Sequence, residues 1–263
     1  MCAESRDRPA AHVAQGFSPA ECGQGPAQVR LTLHGAESRS LTVAVRDLVI
    51  AGWTGRDAAA LEAHIKELEE LGVPRPDRTP MFYPMPASLL TTAPEVEVTG
   101  RDSTGEVEFV LIEHAGELWV GLGSDHTDRQ LETVSIARSK EVCPKPIAPE
   151  AWRFEEVEPH WNHLILRAYA TSAGATTLYQ EGSVTAIRHP RELMALYSEH
   201  HGRSFGPAIA MFCGTFAVKG GLRWADTFGI ELEDPVLGRR IAHRYQPRDV
   251  TAPAARRASN EGA

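Results

Sequence analysis

Apolar and polar positions alternate along residues 28–33 and again along 40–45, on either side of a turn that contains Gly35. A period of two marks a strand with one face in a core, so the two runs predict a β-hairpin. Residues 47–52 form a third, more continuously apolar strand. The period then changes. Ala58, Leu61, Ile65, Leu68 and Leu71 recur at helical spacing with polar residues between them, which predicts a helix ending at Gly72, with Pro74 and Pro76 beyond. An extended, proline-broken segment at 80–86 leads into a strand region from residue 88. Further strands are expected near 95–99, 106–112 and 117–122, and a helix over 130–141. A hairpin from 164–170 and 176–180 turns around Ser172, Ala173 and Gly174. A short helix over 190–197 opens on Pro190, a buried strand covers 208–212, and a last hairpin from 227–233 and 240–245 closes around Asp234 to Gly238. Many short strands with few helices predict a β-rich α+β fold rather than a βαβ array. Residues 1–28 and 246–263 show no period and are rich in Ala, Pro, Gly and polar groups. They are expected to be a disordered leader and a flexible tail around a single domain over 29–245.

Composition narrows the function classes. The 263 residues are 42% hydrophobic, enough for a sizeable core, and 24% charged. A formal net charge of −8 without a Lys/Arg cluster argues against a nucleic-acid surface, which needs a basic stripe to neutralise phosphates. No apolar run approaches the roughly 20 residues of a membrane span, and the polar N-terminus has no secretory core. Cys2, Cys22, Cys143 and Cys213 lack metal-site or disulfide-framework spacing. A cytoplasmic setting is therefore expected.

The chemistry concentrates around Glu106 and Glu108. One residue apart on an apolar strand, they share a face. Asp125 follows at the end of the next apolar run, 118–122. Three converging carboxylates repel one another unless a cation sits between them, and a hard divalent ion with oxygen ligands, Mg²⁺ or Mn²⁺ before Zn²⁺, answers that best. The bland alternative is the solvated face of an amphipathic strand. His64 and Glu67, three residues apart on the expected helix, could form an imidazole–carboxylate pair for moving protons, or be an exposed His beside an incidental Glu. Arg129, and less strongly Arg56, could clamp a carboxylate or make a structural ion pair. The Gly214–Thr215 turn could hold an anion on its N–H groups, or simply end a strand. Cys213 reads as a buried, inert thiol.

The ordered set of segments is similar to that of the fumarylacetoacetate hydrolase superfamily, over about 47–245. Residues 49–53, Val-Ile-Ala-Gly-Trp, precede the helix as that family's lid-leading strand does. Residues 81–88, Met-Phe-Tyr-Pro-Met-Pro-Ala-Ser, resemble its extended Phe-x-x-x-Pro-Ser segment. Gly105-Glu106-Val107-Glu108 resembles its Glu-x-Glu, and residues 124–129, Ser-Asp-His-Thr-Asp-Arg, its Asn-Asp-x-(Ser/Thr)-x-Arg. Residues 179–182, 211–215 and 234–238 then follow in order. The resemblance implies a mixed β-roll with few peripheral helices. It implies metal ligation by Glu106, Glu108 and Asp125, with Mg²⁺ or Mn²⁺ as cofactor, and a homodimer. It implies hydrolase or lyase chemistry on a small 2-oxo or β-diketo acid through a metal-stabilised enolate, with C–C cleavage first and hydratase, decarboxylase or tautomerase outcomes open. It implies catalytic roles for His64, Glu67, Arg129 and Lys140, and substrate binding by Arg56, Tyr83, Gly214 and Thr215. Met85 stands where the family has Lys, Phe216 where it has Pro, and the link from the Glu pair to Asp125 is short, so the substrate pocket is expected to differ. A catalytically silent small-acid-binding protein on the same scaffold is the rival reading. The two separate on whether the three carboxyls meet within about 4–5 Å.

Overall fold

The computed structural model describes residues 26–70 and 75–253, without the side chains of His64 and Leu68. Among these residues the strands gather into two main sheets. The larger has nine strands. Its hydrogen-bonded order runs Arg39–Val45, Ala27–His34, Lys145–Arg153, Glu117–Ser124, Val107–His114, Ile209–Phe212, Asp47–Gly52 and Met81–Met85, with Leu90–Thr91 added beside Lys145–Arg153. Ala27–His34 with Lys145–Arg153 and Ile209–Phe212 with Asp47–Gly52 are parallel pairs, and the other neighbours on that path are antiparallel. The second sheet has five strands in the order Ala175–Ser183, Ile165–Ser172, Thr227–Asp234, Arg239–Asp249 and Glu95–Val98.

The large sheet is apolar on both faces. Phe109, Leu111, Val120 and Leu122 pack with Leu166, Phe228, Ile230 and Tyr245 of the second sheet. Val110, Ile112 and Phe212, on the opposite face, join Val29 and Val43 from one end of the sheet and Leu48 and Met85 from the other. The two ends meet the middle because the sheet curls around this second core. A strand covered on both sides needs no polar face, which explains the unbroken apolar run Val107, Phe109–Ile112 around Glu108.

The expected hairpins, the 47–52 strand, the helix from Ala58 and the helix from Pro190 are present. The first helix, Ala58–Glu70, is capped by Asp57, whose Oδ1 accepts from the N–H groups of Ala59 and Ala60 at 2.9 and 3.0 Å. Its expected stop at Gly72 lies outside the described residues. Four points differ from expectation. The helix expected over 130–141 is two, Arg129–Glu132 and Ile136–Glu141, because Ser135 starts the second as its cap after the β-branched Thr133 and Val134. The strand Lys145–Arg153 was hidden by Pro146 and Pro149, and its pairing shifts register between Ile147 and Ala151, an irregularity that accommodates proline. The tail expected from 246 begins later: Gln246–Asp249 continue the last strand and pair with Glu95–Val98. Likewise Ala27 and Gln28, assigned to the leader, already lie in a strand; residues 1–25 and 254–263 are outside the described residues. No described helix is long and apolar enough to cross a membrane.

Candidate metal centre

The hairpin Val107–His114/Glu117–Ser124 builds the site by register. Glu108 faces Gly123 and Val107 faces Ser124. One step further the Asp125 N–H donates to the Glu106 carbonyl at 2.9 Å, so the ladder carries Asp125 beside the Glu pair. Oxygen atoms of Glu106, Glu108 and Asp125 all lie within 4.8 Å of one another. Asp125 is fully buried, Glu108 is 2% exposed, and Glu106 is half-buried. The three carboxyls meet, and the solvated-strand alternative does not describe them.

Around this cluster sit three cations. Lys140 Nζ is 2.5 Å from Asp125 Oδ2 and 3.8 Å from Glu106 Oε2. Arg129 pairs with Glu106 at 2.9 Å and with Glu132 at 2.8 Å, and its Nε donates to Thr104 Oγ1 at 2.7 Å. Lys145, fully buried, is 3.2 Å from Asp125 Oδ1. Its three protons go elsewhere, to the carbonyls of His126, Lys140 and Cys143 at 2.8, 2.5 and 3.0 Å. An ammonium has three donors, so Asp125 Oδ1 receives charge from Lys145 but no hydrogen bond. Glu108 is barer still. Its Oε2 accepts one backbone N–H, from Gly214 at 2.7 Å, and no cation pairs with it among the described residues.

The electrostatics follow. Burial, then repulsion by Asp125 and Glu106, push the Glu108 carboxyl well above the usual carboxylate range, against the pull of the Gly214 N–H. Burial alone would raise Asp125 too, but Lys140 and Lys145 hold it below its ordinary value. Lys140, desolvated yet flanked by Asp125 and Glu106, is raised and stays protonated. A buried carboxylate with one donor and two like-charged neighbours is costly unless a further cation arrives. An all-oxygen donor set of this kind suits a hard divalent ion, so Glu106, Glu108 and Asp125 fit a metal.

Beside the cluster opens a cavity of about 620 Å³. Its lining is mixed: Glu106, Arg129, Glu132, Lys140 and Tyr83 are polar, and Trp53, Ile136, Phe216, Val218 and Leu222 are apolar. Burial raises the Tyr83 phenol, keeping it a neutral donor.

Other sequence-predicted residues are placed differently. Gly214–Thr215 does hold a carboxylate, but it is the protein's own. The Gly214 N–H goes to Glu108, and Thr215 Oγ1 donates to the Val107 carbonyl at 2.8 Å. Gly214 has φ 105°, and a Cβ there would lie 1.9 Å from Thr54 Oγ1, so only glycine brings this N–H to Glu108. Arg56 does not line this cavity. It braces the loop before the first helix, donating to the Ile187 carbonyl at 3.0 Å and to Asn162 Oδ1 at 3.2 Å. Glu67 is exposed on that helix, no described residue of which lines the cavity; the side chain of His64 lies outside the described residues. Cys213 is buried and its thiol pushed well up by burial.

Sequence reasoning missed Lys145, Gln180 and Tyr245. Gln180 accepts from the Val107 N–H at 3.0 Å and donates to Thr215 and to the Phe216 carbonyl at 2.9 and 2.7 Å. Tyr245 reaches Ser124 at 2.8 Å and His126 at 3.0 Å, and Ser124 in turn accepts from the Glu106 N–H. Both come from the second sheet. The one available signal was Lys145 itself, a lone charge in the stretch Cys143-Pro-Lys-Pro-Ile-Ala148.

A family model described as a protein of unknown function, DUF2848, matches residues 51–245, and the chain belongs to that family. No curated protein matches the sequence. Solved structures match the fold. Cg1458 bound to an inhibitor is 17% identical, with a TM-score of 0.57, and covers 84% of this chain and 88% of its own. A 2-keto-3-deoxy-D-arabinonate dehydratase complexed with magnesium and 2,5-dioxopentanoate is 16% identical with a TM-score of 0.54, over 82% and 78%. A 4-oxalocrotonate decarboxylase from Pseudomonas putida G7, complexed with magnesium and adipate, is 14% identical with a TM-score of 0.51, over 76% and 77%. The fold is thus the fumarylacetoacetate-hydrolase-like β-roll that the motifs implied.

Proposed function

We propose that this member of the DUF2848 family is an enzyme of the fumarylacetoacetate hydrolase superfamily, a divalent-metal-dependent lyase or hydrolase acting on a small 2-oxo or β-diketo acid. The observation that carries the reading is Glu108, fully enclosed with two other carboxylates within 4.8 Å and no cation of its own. The magnesium and the oxo or dicarboxylic acids in two fold neighbours support it. Glu106, Glu108 and Asp125 would hold Mg²⁺ or Mn²⁺, and the ion would supply Lewis-acid polarisation of a substrate carbonyl and neutralise charge developing there.

The protein's own groups do the rest. Gly214 fixes Glu108, and Arg129, pinned by Glu132 and Thr104, fixes Glu106. Lys145 ties the loop after Asp125 to the helix at Lys140. Lys140 lies at the cavity wall and remains an ammonium, placed to hydrogen-bond an anionic oxygen of the substrate. Tyr83 offers a neutral O–H in the same cavity. C–C cleavage, hydration and decarboxylation all need negative charge held at one carbonyl oxygen, which this arrangement provides.

A second reading has one observation in its favour. Lys140 already sits against Asp125 and Glu106, so a metal-free small-acid-binding site on the same scaffold is its content. Calorimetric titration of the metal-stripped protein with Mg²⁺ and Mn²⁺, with oxalate present as a 2-oxo acid mimic, separates the two. On the enzyme reading the metal binds, oxalate tightens it, and a Glu106→Ala/Glu108→Ala variant loses both. Oxalate binding that ignores metal, in wild type and variant alike, sinks it.

A further inference from the structure

The lining of the cavity beside the carboxylates is of two unlike kinds, and the apolar part is held in place by the protein itself. Phe216 and Val218 are partly buried and pack against the main core. The Phe216 ring sits over Gly182, where an added Cβ would come within 2.9 Å of it, and Gln180 holds the Phe216 carbonyl at 2.7 Å. Ile136 and Leu222, the latter 53% exposed, line the same cavity. A preformed apolar wall facing a small polar cluster is what a ligand with a charged head and an apolar body requires.

Charge points the same way. The two cations that line the cavity already face carboxylates, Arg129 those of Glu106 and Glu132 and Lys140 those of Asp125 and Glu106, and what Lys140 has to spare goes to the ligand's head. Glu132 itself lines the cavity, so a second carboxylate on the ligand would meet an anion and an apolar wall. A volume of about 620 Å³ is also far more than a three-carbon oxo acid fills. We infer that the site takes a 2-oxo monocarboxylic acid with an apolar alkyl or aryl tail, its head at the carboxylate cluster and its tail against Phe216, Val218, Ile136 and Leu222. The inference rests on the metal-site reading proposed above and goes further in naming which oxo acids the site prefers.

The test is calorimetry in Mg²⁺ with oxalate, pyruvate, 2-oxobutyrate, 2-oxohexanoate, 2-oxooctanoate and phenylpyruvate, and with 2-oxohexanedioate as the dicarboxylic twin of 2-oxohexanoate. Affinity should rise about fourfold per buried methylene until the wall is covered. The dicarboxylate should bind at least about tenfold more weakly than its monocarboxylic twin. Phe216→Ala should flatten the chain-length gradient. Leu222→Ser, at an exposed position that tolerates substitution, should shrink it in the same direction and guards against a Phe216 variant that fails to fold. If oxalate binds with Mg²⁺ but affinity is flat across chain length, or the dicarboxylate wins, the tail inference is overturned and the metal site stands. If no acid binds with Mg²⁺, the metal-site reading falls and takes this inference with it.

Discussion

At the scale of single residues, the site depends on what each charged atom is left to do after its structural bonds are made. Lys145 spends three protons on three carbonyls and gives Asp125 only its charge. Removing it strands those carbonyls and deprives a buried carboxylate of a partner. Lys145→Met should therefore cost about 3–5 kcal/mol, read as a lower urea midpoint with an unchanged slope. Glu106 and Glu108 were legible from sequence because strand alternation alone puts them on one face. Lys145 was not, because nothing local says that a lysine between two prolines lies 3.2 Å from an aspartate twenty positions earlier. The turn at Gly214 was legible as an anion site. Its anion was not, since the partner, Glu108, is more than a hundred residues distant.

At the scale of elements, the closing hairpin shows how one side chain can set a turn. Asp234 is fully buried, accepts from the N–H groups of Val236 and Leu237 at 3.2 and 3.1 Å through Oδ1, and meets His160 and Arg239 through Oδ2 at 3.0 and 3.2 Å. Burial would raise this carboxyl, but His160, the Leu237 N–H and Arg239 together hold it below its ordinary value. A depressed acid stabilises the fold above the unfolded value, near pH 4, and loses that contribution as pH falls through the folded value. Asp234→Asn should then be less stable than wild type by about 1.5–3 kcal/mol at pH 7. The gap should narrow as pH falls below about 4 and close only once pH has passed below the depressed folded value, where both chains are uncharged at that position. Denaturant melts at pH 7, 4 and 3 check this; a gap that persists unchanged at pH 3 would contradict it. The hairpins and the capped helices were legible because turn and cap chemistry is local, as Asp57 and the Ala173–Gly174 turn show. The strand Lys145–Arg153 was not, because its prolines oppose the local signal and only its neighbours on both sides make it a strand.

At the scale of the whole molecule, the carboxylate cluster joins the two sheets. Glu108 lies in the large sheet and Asp125 directly follows its Glu117–Ser124 strand, while Gln180 and Tyr245, which hold the neighbouring Val107, Ser124 and His126, come from the small one. A cation bound at the cluster therefore stabilises the native chain as a unit, by mass action. Mg²⁺ at about a hundred times its dissociation constant should add roughly 2.7 kcal/mol. The rise in melting temperature should vanish with EDTA and in the Glu106→Ala/Glu108→Ala variant. A melting temperature indifferent to Mg²⁺ would count against the metal centre directly, without recourse to activity.

The sequence by itself determined the strand-rich class, the hairpins, and the pairing of Glu106 with Glu108 on one face, because periodicity, turn residues and alternation act within a few positions. It also carried the ordered motifs that imply the β-roll. Tertiary structure alone decided that Asp125 meets the Glu pair at 4.8 Å or less, that Lys140 and Lys145 attend it, and that the Gly214 N–H holds Glu108. The first contact is set by the register of one hairpin and the last by the pairing of Ile209–Phe212 with Val107–His114, and side-chain neighbours fixed by strand pairing leave no periodic trace along the chain.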